Sequence, residues 1–125
     1  MAKQLVPEDP ADVAAALVRW REHGGAAGHA TDRADLKLLT KHYLAVLQHR
    51  APGNSVEVRV LPFAAVQVIP GVRHTRGTPP AVVELSAAVW IGLAVGEVKW
   101  ADAEHDGRLR ASGERADLTS YLPLT

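Results

Sequence analysis

The sequence predicts one small α/β domain on three observations: two helical stripes of apolar residues open the chain, two-residue alternation sets in after Asn54, and an apolar helical run begins at Ala87. With 125 residues two separate domains would each be too small for a good core, whereas one core hides roughly two thirds of the area that the extended chain exposes. Residues 1–125 are therefore read as a single domain, with 1–30 an N-terminal helix and linker and 31–125 the core.

The elements follow in order. Asp9 before Pro10 is a helix entry, because the carboxylate accepts an orphan amide hydrogen and proline has none to satisfy. Val13, Leu17 and Trp20 recur at helical spacing, and Gly24 and Gly25 end the run. Thr31 or Asp32 caps a second helix whose stripe is Leu36, Leu39, Tyr43, Val46 and Leu47, stopped by Pro52 and Gly53. Val56, Val58 and Val60 then alternate with Glu57 and Arg59, the pattern of a half-buried strand. Leu61-Pro62-Phe63 is a turn or an edge, and Ala64 to Ile69, apolar except for Gln67, reads as a central strand covered on both faces. Pro70 to Pro80 is a loop with room for a short strand at Val72 to Thr75, and Ala81 to Leu85 is extended again. Ser86 caps a helix, Ala87 to Val95, that is apolar nearly all round with Gly92 as its one gap, and Gly96 closes it. Val98 to Glu104 is a short helical or irregular piece, His105-Asp106-Gly107 a turn, Arg108 to Ser112 a strand, and Ala116 to Leu122 a short helix or turn.

Composition excludes several functions. Lysine plus arginine equals aspartate plus glutamate, 14 against 14, so the broad field that draws nucleic acid or an anionic membrane surface is missing. There is no cysteine, which removes disulfides, thiolate metal sites and a thiol nucleophile together. No stretch of eighteen unbroken apolar residues and no leader pattern is present, so integral membrane association is not expected and a cytoplasmic location is. Ten arginines against four lysines fit a GC-rich bacterial genome.

No catalytic motif emerges. His23, His29, His42, His49, His74 and His105 never take the spacing of a zinc helix, and His42 with His49, two turns apart, reads as a solvated flank. No serine lies in a nucleophile elbow. Asp102 with Asp106 and Glu114 with Asp117 sit in polar stretches that would not raise a carboxyl pKa. Phosphate-binding glycine loops are missing, so neither a metal nor a cofactor is implied. Two features remain. Val72 to Pro80 gathers Arg73, His74 and Arg76 with two threonines, a set able to grip a carboxylate or phosphate head group, or whose arginines pair with Glu57, Glu84 or backbone carbonyls and hold the loop on the sheet. Trp90 and Trp100, either side of Gly96, wall a cavity or fill the core with Phe63.

The motifs Ala51-Pro52-Gly53, Val56-Glu57-Val58-Arg59-Val60, Ala65-Val66-Gln67, His74-Thr75-Arg76-Gly77-Thr78-Pro79-Pro80, Trp90 with Leu93-Ala94-x-Gly96, and Ala111-Ser112-Gly113-x-Arg115-Ala116-Asp117-Leu118 stand in this order. Together they make the chain resemble the sterol carrier protein superfamily, most closely its bacterial, actinobacterial-type orthologues, over roughly Thr31 to Leu124. The resemblance implies a mostly antiparallel sheet of about five strands with helices on one face. It also implies a non-catalytic carrier with an internal tunnel for a hydrophobic small molecule or lipid: fatty acyl, isoprenoid or sterol-like. By position the tunnel walls would be Phe63, Val66, Val68, Trp90, Leu93, Trp100 and Leu109, with Arg73, His74 and Arg76 near a polar head. Burying about ten methylenes at roughly 0.8 kcal/mol each gives a gross gain of about 8 kcal/mol, enough for micromolar binding after ordering costs. The alternative is a structural or interaction module with a filled core, acting as a homodimer or beside a partner enzyme.

Overall fold

A computed structural model describes residues 4–28, 32–71, 81–113 and 116–125. Helix α1, Pro10–Glu22, begins as its sequence demands: the Asp9 carboxylate accepts the amide of Ala11 at 2.8 Å and proline fills the first position. Its buried face is Val13, Ala16 and Trp20. Gly24, at φ +96°, turns the chain out of the helix into a single 3-10 turn, Gly25–Ala27. Helix α2, Arg33–Arg50, is capped by Asp32 through the amide of Ala34. Leu39, Tyr43, Leu44 and Leu47 form its buried stripe, with Leu36 and Val46 at the margins. The two helices run antiparallel, since Arg19 meets Asp35 at one end and Leu5 meets Gln48 at the other.

Four strands among the described residues form one sheet: β1 (Val56–Val60), β2 (Ala64–Val68), β3 (Ala81–Leu85) and β4 (Leu109–Ser112). Their order is β2-β1-β3-β4. β1 pairs antiparallel with β2 and parallel with β3, and β3 pairs antiparallel with β4. Two of the three pairings are antiparallel, in keeping with the mostly antiparallel sheet expected, and the described residues supply four strands where about five were expected. The Val72 to Thr75 strand lies outside the described residues.

The expected cover on both faces of β2 is not found. Among the described residues β2 stands at one end of the strand order and β1 inside it. In β2 only Val66 and Val68 point into the core, while Ala65 is exposed and Gln67 half-buried. The apolar run misled because alanine makes no strong demand for burial. The alternation of β1 states only that one face is covered, which holds for a central strand too. Val56, Val58 and Val60 lie on that face with Val83 and Leu85 of β3, under the helices.

Helix α3, Ala87–Val95, follows Ser86, whose hydroxyl accepts the amide of Val89 at 3.3 Å. Seven of its nine residues are buried, as an all-round apolar helix requires. Gly96 at φ +84° ends it. Gly92 has a separate role. A Cβ there would stand 2.5 Å from Val98 Cγ2 and 3.1 Å from Ala26 Cβ, so the missing side chain admits the 3-10 turn and the chain after Gly96 to the helix surface. Helix α4, Trp100–His105, buries Trp100 and Ala103, and the Leu124 amide donates to the Ala94 carbonyl at 2.8 Å, fastening the tail on α3. One apolar core runs from Val13 to Leu124 and takes in both helix layers and the sheet.

Candidate functional site

The seven expected wall residues come from four elements and one turn. Val66 and Val68 stand on the covered face of β2, Trp90 and Leu93 on α3, Trp100 on α4 and Leu109 on β4. All six are buried in the same core. Phe63, in the β1–β2 turn, is half-buried at its margin, with the Arg33 guanidinium 5.2 Å from its ring centroid. Trp90 is wholly buried and donates its indole N–H to the Thr40 carbonyl at 3.2 Å, tying α3 to α2. The Thr40 hydroxyl is buried without a partner among the described residues, as is the indole N–H of Trp20. Each such group forfeits hydration worth about 1–3 kcal/mol.

The expected head-group residues Arg73, His74 and Arg76 lie outside the described residues. Ser55, just before β1, donates its amide (3.2 Å) and its hydroxyl (2.7 Å) to the Ile69 carbonyl, and its own carbonyl accepts the amide of Ala81 at 3.0 Å. The exit of β2 and the entry of β3 therefore meet on one residue. Ile69 sits at φ +70°, a costly conformation for a β-branched residue, and its amide donates to the Ala51 carbonyl at 2.6 Å. Gly53 permits this approach, because a Cβ there would lie 2.1 Å from the Ile69 oxygen. Sequence reasoning missed Ser55: a lone serine before a strand carries no signal of what it will bridge. Glu57, one of the expected partners for the loop arginines, accepts from Arg59 at 2.6 Å.

Two cavities formed by described residues open to solvent. One, about 290 Å³, is lined by Leu61, Glu84, Leu85, Ser86 and residues 107–110, so it includes Leu109 of the expected walls. The other, about 500 Å³, is lined by Arg19, His23, Asp32, Ala34 and Asp35 and includes none of them. At its floor the guanidinium of Arg19 grips both oxygens of buried Asp35, at 2.8 and 2.9 Å, and holds that carboxyl below its ordinary pKa against the opposing effect of burial. Among the described residues no group of three histidine, aspartate or glutamate side chains is arranged to hold a metal, and no helix is long and apolar enough to cross a membrane.

One expectation about the histidines is corrected. His49 is exposed, but His42 is half-buried and accepts the backbone amide of Glu8 on Nδ1 at 3.0 Å. It is a structural acceptor and not a solvated flank.

The model of a family described as bacterial SCP ortholog, SCP standing for sterol carrier protein, matches residues 32–124, from the cap of α2 to the buried tail. The chain belongs to the bacterial sterol carrier protein orthologues. No curated protein matches it. In this sterol carrier orthologue all seven expected wall residues fall inside the matched region, whereas α1 and residues 4–9 precede it.

Proposed function

We propose that this sterol carrier orthologue is a non-catalytic, cytoplasmic carrier of a lipid-like molecule, fatty acyl, isoprenoid or sterol-like, held between α3 and the sheet within a single domain. The observation that carries the reading is the convergence of six expected walls, Val66, Val68, Trp90, Leu93, Trp100 and Leu109, in one apolar core of a sterol carrier family member. Phe63, half-buried at the core's margin, is proposed for the mouth. Such a ligand needs apolar area and little else, because burial alone supplies its binding energy. The buried Thr40 hydroxyl, on the residue whose carbonyl meets Trp90, offers one polar contact. Arg73, His74 and Arg76 are proposed for the head group.

A second reading rests on a specific observation. Trp90 and Val68 have no solvent exposure at all, so a ligand enters only if α3 or its neighbours give way; a core that stays closed belongs to an interaction module, a homodimer or an enzyme's accessory. The discriminating experiment is native mass spectrometry of the purified protein with organic extraction, followed by addition of a fatty acid to the W20F/W100F variant, in which Trp90 is the sole tryptophan and is excited selectively. A stoichiometric lipid in the extract, or a saturable shift of Trp90 emission at micromolar fatty acid, supports the carrier. A ligand-free mass with an unresponsive Trp90 moves the assignment to the filled-core module.

A further inference from the structure

Residues 4–9 form no regular element, yet two of their amides are bonded to side chains of α2. Leu5 donates to Gln48 Oε1 at 2.9 Å and Glu8 donates to His42 Nδ1 at 3.0 Å. Gln48 and His42 are six residues apart, about 9 Å along a helix. The three steps from Leu5 to Glu8 span about 10 Å when extended. The two lengths match, so the segment lies along α2 and antiparallel to it. The residues between suit the arrangement. Val6 and Pro7 face solvent, proline has no amide hydrogen to satisfy, and Leu5 turns inward against the core.

A backbone amide only donates, so Nδ1 of His42 must present its lone pair, with the ring proton on Nε2. Protonation would put a hydrogen on Nδ1 opposite the Glu8 N–H, turning a hydrogen bond into two opposed donors. We propose that residues 4–9 are a strap held on α2 by neutral His42 and released when that imidazole takes a second proton.

The surroundings set the pH range. Burial holds the pKa of His42 below the ordinary histidine value, and the Glu8 carboxylate on the strap pulls the other way. Tyr43, on the same helix, meets the imidazole edge-on at 4.9 Å between centroids and is a neutral phenol whose own pKa burial raises. No charge on α1 is among the causes of the His42 shift. Because the folded value is depressed, docking is at full strength above the ordinary histidine range and is lost as pH falls through the lowered value. His42 and Gln48 lie within the family match and the strap outside it, so the latch joins a part of this chain that the match does not cover to one that it does.

The test is a pH titration of the isotope-labelled protein by NMR, from about pH 8 to about pH 5, across the ordinary histidine range. The expected result is an Nε2–H tautomer for His42 at the alkaline end. The Glu8 amide should then lose about tenfold in exchange protection, corrected for the intrinsic rate, with the same midpoint as the His42 ring, while Trp20 inside α1 keeps its protection. His42→Asn, whose side-chain oxygen accepts without titrating, should hold Glu8 protection constant over the range. An Nδ1–H tautomer, or Glu8 protection that ignores the His42 midpoint, overturns the proposal. Both are read on the unmodified protein, so the test stands even if His42→Asn folds poorly.

Discussion

Trp90 does two separable things in this core: its ring fills space between α3 and its neighbours, and its indole N–H reaches the Thr40 carbonyl of α2. The two are distinguished by substitution. Trp90→Phe keeps most of the ring and loses the donor, so we expect a loss of about 1 kcal/mol in unfolding free energy. Trp90→Ala opens a cavity and should cost about 3–5 kcal/mol. Denaturant titration of the two variants measures both, and equal losses would mean that the hydrogen bond contributes more than the ring. At this scale the sequence was legible where chemistry is local: Asp9, Asp32 and Ser86 cap the helices they precede. It was not legible for His42 and Ser55, whose partners lie 34 and 14 residues away and whose roles appear only once the chain has folded back.

At the level of elements, Gly92 marks where α3 accepts its neighbours. The sequence showed a gap in an otherwise apolar helix; the fold shows Val98 and Ala26 closing over it. Val98 is β-branched and stiff, so Gly92→Ala should destabilise the protein by about 1–3 kcal/mol through overpacking, despite the better helix propensity of alanine. Thermal unfolding checks the direction, and an unchanged or raised melting temperature would mean that the contact relaxes freely. Helix and strand limits were readable because period and punctuation change together, at Asn54, Ser86 and Gly96. Strand order was not. β1 lies between β2 and β3, and no local pattern reports that a later strand will arrive on the far side of an earlier one.

For the whole molecule, the family match was foreshadowed by the ordered motifs. Whether the core admits a guest depends on the work needed to part α3 from the sheet, which no single side chain encodes. The Ser55 junction has a consequence of another kind. Since the exit of β2 and the entry of β3 are both fastened to Ser55, the connection between them is expected to tolerate changes in its length. Lengthening a closed loop costs only the logarithm of its length. Four Gly/Ser residues inserted after Gly71 should therefore lower unfolding free energy by less than about 1 kcal/mol, measured by denaturant titration; a larger loss would mean that the connection itself contributes to the core. Tolerance of that kind would let a lineage vary the sequence of residues 72–80 while the pairing of β1 with β2 and β3 stays the same.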